Sequence, residues 1–366
     1  MPNPHSPTHT EERGKPMAGK KRSPTVAERA PGSAEEKLEE FSPEQLTDFL
    51  RQMLSIRRFE ERAAQAYGQG AVGGFCHLYI GQEAVAVGAL AALNDSDRVL
   101  TTYRDHGMAL ARGMSPTECF AELLGREDGC SKGRGGSMHF FDGKRNFFGG
   151  HAIVGGHIPL GTGFAFASKY RKEKNVTMCF FGEGAVNNGA FHESLNLAAL
   201  WDLPIVYVCE NNRYGMGTPV ERASSVYDLH KKAAGYDMQN DQIEGMDVLA
   251  VYKSVQMAVR DAREGKPSFL EIRTYRFRGH SMSDPIHSHY RTKEEVEDQR
   301  LQDPITRLSH DIESAGLLTS EQIKQLDKEV SAEIKASLDE AHKSAEPDPK
   351  TVFDFVYKNP PSGSRR

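Results

Sequence analysis

The chain has 366 residues, a net charge of −5, a pI near 6.3 and 38% hydrophobic residues. That length allows two domains or one large α/β domain with extensions, and buries on the order of three quarters of the unfolded surface. The acidic balance and the lack of a basic aromatic face argue against a nucleic-acid partner, and no stretch approaches the ~20 apolar residues that span a bilayer.

Residues 1–36 are rich in Pro, Ser, Lys, Arg and Glu and nearly free of large apolar side chains, so a disordered tail is expected. Glu11, Glu12, Glu28, Glu35 and Glu36 break the acid-poor composition of a mitochondrial transit peptide. Residues 37–358 read as a single α/β domain with N- and C-terminal helical extensions, and 359–366 as a flexible C-terminus. The five cysteines (Cys76, Cys119, Cys130, Cys179 and Cys209) show no CxxC spacing, which fits reduced thiols in a cytoplasmic protein.

Ordered structure begins at Ser42-Pro43-Glu44-Gln45, a helix start with Ser as cap and Pro in the first position. Leu46, Phe49, Leu50, Met53 and Ile56 then form one apolar face. Gly70–Gln82 is glycine-rich and carries His77, which taken singly reads as a satisfied core histidine. A strand over Arg98–Thr102 leads into Tyr103-Arg104. An Arg at a strand end suits a diphosphate, because its planar fork offers paired donors. A surface ion pair with Asp105 explains it equally well. Ser115-Pro116-Thr117-Glu118 opens another helix. Gly125–Gly163 is punctuated by glycine, but it lacks the preceding strand and the acid about 20 residues on that a dinucleotide site requires.

The centre of the chain is Val176–Asn212. Val176–Phe181 is an apolar strand run stopped by Gly182-Glu183-Gly184. Asn188–Trp201 has apolar residues at helical spacing, Leu203-Pro204 ends that helix, and Ile205–Val208 is a second buried strand. This is a βαβ unit, and a parallel pair sets both strand ends on one edge, so Glu183 and Asn212 should meet. A carboxylate and an amide oxygen are hard ligands suited to Mg²⁺, which binds substrate phosphates. The helix after the turn should point its first amides at an anion.

Beyond it, Val248–Ala262 reads as a helix and Ser268–Thr274 as a strand. Arg276–Thr292 is polar and holds His280, His287 and His289, so an exposed, mobile active-site loop is expected. The three histidines do not make a zinc site without further ligands in fixed geometry. A last helix, from about Ser320 to Lys343, either packs on the body or makes a subunit contact.

The opening Gly182-Glu183-Gly184 and closing Asn211-Asn212 resemble the thiamine diphosphate motif, which opens GDG and closes NN. GGSMH (135–139), IVG (153–155), ENNRYGMGT (210–218) and GHSMSDP (279–285) extend the likeness. From about residue 40 to 358 the chain resembles the alpha subunits of the decarboxylating component of 2-oxo acid dehydrogenase complexes, the pyruvate-specific ones above all. The resemblance implies a doubly wound, mostly parallel sheet with helices on both faces, the thiamine diphosphate-binding fold. It implies thiamine diphosphate and Mg²⁺ as cofactors, with Glu183, Asn212 and the main-chain oxygen of Tyr214 as metal ligands. Tyr103 and Arg104 would contact the diphosphate, Gly184 and Ala185 the cofactor, and Val154 the aminopyrimidine ring. His77 would lie near the substrate and His280 at the reaction centre, both able to change charge near neutral pH and so to handle protons or stabilise charge there. Ser281 matches a phosphorylated position in eukaryotic relatives.

The family usually has Asp where Glu183 stands. The extra methylene leaves direct ligation and ligation through a water both open. The resemblance further implies oxidative decarboxylation of pyruvate and transfer of the acetyl group to a lipoyl-bearing acyltransferase component. Thiamine enzymes also need a carboxylate from a second α/β domain, and none is evident here. A separate beta subunit, in a heterotetramer of two alpha and two beta subunits, is the expected source. The alternatives are a branched-chain 2-oxo acid or acetoin dehydrogenase alpha subunit, and a non-catalytic scaffold that binds the cofactor.

Overall fold

The computed structural model describes residues 38–284, 290–354 and 357. The segments read as a disordered tail (1–36) and a flexible C-terminus (359–366), together with His287 and His289, lie outside the described residues.

Apolar and β-branched runs supply most of strands β1 (Arg98–Thr102), β2 (Phe147–His151), β3 (Thr177–Gly182), β4 (Ile205–Asn211), β5 (Gln239–Glu244) and β6 (Ser268–Arg273). They pair in the order β2-β1-β3-β4-β6-β5, and every pair is parallel. Parallel neighbours require crossover connections, which cover both faces of the sheet. Accordingly, all seven residues of β4 are buried.

Strand alternation divides the core in two. Met178, Phe180, Val206, Val208 and Ile272 pack with helices α1 (Pro43–Gly68) and α2 (Glu83–Ala91). Cys179, Phe181, Tyr207, Cys209 and Phe269 instead meet the two helices flanking β3 in the chain. The sheet is therefore doubly wound, as expected. From β1 the chain winds one way to β2, and from β3 the other way to β4. That reversal opens a crevice at the carboxyl ends of β1 and β3.

The remaining α-helices of six or more residues are α3 (His106–Ala111), α4 (Pro116–Leu123), α5 (Ile158–Tyr170), α6 (Gly189–Leu200), α7 (Val248–Arg263), α8 (Lys293–Arg300), α9 (Pro304–Ser314) and α10 (Ser320–Ala341). Ser115 starts α4 without a side-chain cap bond, whereas two other helix starts are capped by side chains. Ser42 Oγ accepts from the Gln45 amide at 3.2 Å, and Thr319 with Gln322 forms a capping box ahead of α10. Helix α10 packs on α1 and α4, so it lies against the body. Arg51–Glu333 and Arg58–Asp327, both at 2.6 Å, cross that contact near solvent. Such pairs contribute at most ~1 kcal/mol each, so the buried Val330 and Ile334 carry most of the docking.

Four of the five cysteines are buried and all are free. Among the described residues, no helix is long and apolar enough to cross a membrane.

Candidate active site

The crevice at the strand ends is a cavity of about 330 Å³. Register explains who meets there. Gly182 pairs with Glu210 across β3 and β4, so Glu183 and Asn212 leave adjacent strands side by side. Tyr103 and Arg104 follow β1 into the same cavity, joined by Val154, Gly184, Ala185, Tyr214 and His280. His77 stands behind them. Its ring lies 4.6 Å from that of Tyr103 and 5.2 Å from that of His280.

One local expectation needs correction. Helix α6 starts only at Gly189, and a short 3-10 turn over Glu183–Ala185 takes the place at the cavity. The intervening residues serve another contact: Asn188 Nδ2 donates to the Val154 carbonyl at 3.0 Å, tying the 152–156 loop to the start of α6. Gly155 permits this approach. It has φ +76°, and a Cβ there would sit 2.5 Å from Asn188 Nδ2.

Three oxygens converge on one side of the cavity. Glu183 is 7% exposed, and its Oε2 has no hydrogen-bond partner. Burial pushes its carboxyl above the usual range. Asn212 Nδ2 donates to Gln82 Oε1 at 3.0 Å, which orients the amide and leaves its oxygen facing Arg276. The Tyr214 carbonyl is the third. Among the described residues, no group of three or more His, Cys, Asp or Glu could hold a metal. A carboxylate, an amide and a carbonyl oxygen instead suit Mg²⁺ that takes its remaining ligands from a bound phosphate and water. The chemistry of this donor set, with an unpartnered buried carboxylate oxygen, fits a metal-bridged diphosphate.

The other side of the cavity is cationic, and part of it was not foreseen. The segment from Arg276, expected to be exposed, is mostly buried or half-buried over its described residues: Arg276 is 2% exposed and Ser281 8%. Arg276 Nη1 donates to Asn212 Oδ1 at 3.0 Å and to the Tyr214 carbonyl at 3.2 Å. Its Nη2 reaches the Met216 carbonyl at 3.3 Å. Arg291 supports the segment from behind, donating to the carbonyls of Arg276, at 2.7 Å, and Arg278. A charged side chain is buried without great cost when its donors are matched in this way. The one sequence signal for Arg276 is its place just past the end of β6, as Arg104 stands past β1.

Arg104 is not a surface ion-pair residue. It is buried, and it donates to the carbonyls of Leu78 at 2.6 Å and His280 at 2.8 Å. Asp105 turns the other way and accepts from the Phe140 amide at 2.8 Å. Arg104 thus joins the two segments that carry His77 and His280. Glu210 and Gln82 also line the cavity without having been singled out. Burial pushes the Glu210 carboxyl up to about 7, although Tyr79 Oη donates to it.

In the chain alone both imidazoles are pushed toward the neutral form. Burial, and after it the Arg104 guanidinium, pushes His77 down to about 2 and His280 down to about 3. A buried chain positions His77. Glu60 bonds His106 Nδ1 at 3.0 Å, His106 Nε2 meets Ser137 Oγ at 2.9 Å, and Ser137 Oγ accepts from the His77 amide at 3.1 Å.

Comparison with known proteins agrees with this geometry. Residues 51–350 match the family described as "Dehydrogenase E1 component". A protein of Rhizobium meliloti named "Pyruvate dehydrogenase E1 component subunit alpha" is 50% identical over 319 residues, 87% of this chain and 91% of its own. The protein of the same name from Rickettsia bellii is 44% identical over 324 residues, 88% of this chain and 99% of its own. "Pyruvate dehydrogenase E1 component subunit alpha-1, mitochondrial" of Arabidopsis thaliana is 46% identical over 319 residues, 87% of this chain and 81% of its own. The chain belongs to the dehydrogenase E1 component family, whose members depend on thiamine diphosphate.

Proposed function

We propose that this chain is the alpha subunit of a pyruvate dehydrogenase (acetyl-transferring) component, with Mg²⁺ and thiamine diphosphate bound in the crevice between β1 and β3. The observation that carries this reading is the convergence of Glu183, Asn212 and the Tyr214 carbonyl opposite Arg104 in one cavity. The names of the relatives support pyruvate as the substrate.

When bound, thiamine diphosphate supplies the electron sink that lets a 2-oxo acid lose CO₂. Glu183, Asn212 and the Tyr214 carbonyl hold the metal. Tyr103 and Arg104 would hold the diphosphate, Gly184 and Ala185 would bring the backbone close to it, and Val154 would face the aminopyrimidine ring. His77 and His280 act as neutral hydrogen-bonding groups at the substrate. Burial is the larger cause of their lowered proton affinity; an anion beside Arg104 would offset only the smaller, charge-derived part.

A beta subunit completes the site in a heterotetramer, and a lipoyl-bearing acyltransferase component accepts the acetyl group. Two observations support the beta subunit. The relatives are named as alpha subunits, and the apolar Val154 and Met216 at the cavity are 50% and 63% exposed. The reading includes a cytoplasmic location, supported by five free cysteines.

The test is 2-oxo-acid-dependent reduction of an artificial electron acceptor with Mg²⁺ and thiamine diphosphate. The chain is assayed alone and with its candidate beta subunit, on pyruvate, branched 2-oxo acids and acetoin. Activity only in the assembly, highest with pyruvate, is the expected outcome. Preference for another substrate changes the substrate alone, whereas tight cofactor binding without turnover makes the chain a scaffold.

A further inference from the structure

Two of the three oxygens assigned to the metal already bind a cation. Arg276 Nη1 donates to Asn212 Oδ1 at 3.0 Å and to the Tyr214 carbonyl at 3.2 Å, while Glu183 Oε2 is left without a partner. A divalent cation such as Mg²⁺ would draw the same oxygens to about 2.0–2.1 Å. Metal and guanidinium would then stand a few ångströms apart in a buried cavity, with the buried Arg104 a third positive centre. Facing them is the Glu183 carboxylate; the other carboxyl at the cavity, Glu210, is engaged by Tyr79. Like charges gathered in a site of low dielectric repel strongly unless an anion joins them.

We propose that Arg276 is an exchangeable cation: it occupies the metal's oxygens in the free chain and makes metal binding conditional on a diphosphate. In the free chain it keeps Asn212 and the 214–216 turn aligned, which pre-forms the oxygen side of the site. A metal arriving alone meets a resident cation and is rejected. A metal arriving with a diphosphate brings the negative charge that balances it, and the phosphoryl oxygens give the displaced guanidinium new acceptors. This inference rests on the metal and diphosphate reading above and adds an obligatory coupling between the two ligands. It makes Arg276 a positioning residue whose effect is read in metal affinity.

The experiment uses the full chain with its co-purifying partner, stripped of cofactor, and measures protein-bound Mn²⁺ by equilibrium dialysis. Mn²⁺ is offered alone and with inorganic diphosphate. In the wild type, diphosphate should tighten Mn²⁺ binding by roughly 100-fold. In Arg276→Gln, Mn²⁺ alone should bind roughly 10-fold tighter than to the wild type, and the gain from diphosphate should shrink by the same factor. Arg276→Lys, which restores a cation, should return toward wild-type coupling. Weaker or unchanged binding of Mn²⁺ alone to Arg276→Gln overturns the exchange, because a residue that merely braced the ligands would act in that direction. Equally tight binding by the wild type with and without diphosphate overturns it too, and that measurement requires no variant to fold. Binding under no condition overturns the inference together with the site assignment, whereas independent binding of both ligands overturns the inference alone.

Discussion

The oxygen side and the nitrogen side of the cavity differ in how far apart their residues lie along the chain. Glu183, Asn212 and Tyr214 belong to one βαβ unit and the turn that follows it. Arg104 follows β1, Arg276 follows β6, and His77 precedes α2, so the nitrogen side is assembled from the two ends of the domain. The first side depends on strand register, a local property. The second depends on main-chain carbonyls of Leu78, Met216 and His280 that happen to face inward once the sheet has formed. A site built this way can be attacked on either side, with different consequences.

The largest effect is expected on the oxygen side. Glu183→Ala should weaken metal-dependent binding of thiamine diphosphate by ~100-fold or more, read by titration at fixed Mg²⁺, whereas Glu183→Asp should stay within about 10-fold. Wild-type affinity in Glu183→Ala would show that this side does not hold the metal. On the nitrogen side, His280→Ala should keep cofactor affinity but lower kcat of the assembled enzyme by about 10²–10⁴-fold. Unchanged acyl transfer would sink that assignment.

A third change leaves the cavity and tests the support behind it. Buried Glu122 accepts from the amides of Ser131 at 2.7 Å, Gly133 at 2.9 Å, Gly135 at 2.6 Å and Gly136 at 3.0 Å. It thereby shapes the glycine-punctuated loop that leads into Ser137, the residue bonded to the His77 amide. Glu122→Gln would aim an NH₂ at main-chain donors, and should cost on the order of 3–5 kcal/mol in urea unfolding. A loss below ~1 kcal/mol would mean that the loop is held by its other contacts.

The smallest effect concerns pH. Burial holds the Glu210 carboxyl at about 7, against a usual 4.5. The folded chain therefore binds this proton more tightly than the unfolded chain does. The stabilisation is complete below pH 4.5 and is lost as pH rises through about 7. In Glu210→Gln, the thermal midpoint of the cofactor-free chain should fall less steeply across that window than in the wild type. Parallel curves would show that Glu210 does not titrate there.

Much of the fold was legible because its signals are short-range. Apolar runs marked β1, β3, β4 and β6, the Ser42 and Ser115 regions announced helix starts, and periodicity picked out the buried face of α1. The meeting of Glu183 with Asn212 followed from two parallel strands alone. The misreadings all concern what lies across space. The backbone at the cavity belongs to a 3-10 turn over Glu183–Ala185 rather than to the first turn of α6, although α6 starts where its apolar spacing indicated. Arg276, polar by composition, is buried because acceptors from Asn212, Tyr214 and Met216 surround it.

By itself, then, the sequence determined the period of each element, the caps that start the helices and the pairing that assembles the oxygen side. Each depends on residues within a turn or a strand of one another. Only the tertiary structure decided which charged groups are buried, that burial pushes both histidines toward the neutral form, and which cation occupies the oxygens. Those outcomes depend on desolvation and on donor–acceptor matching between distant segments, and no local pattern encodes them.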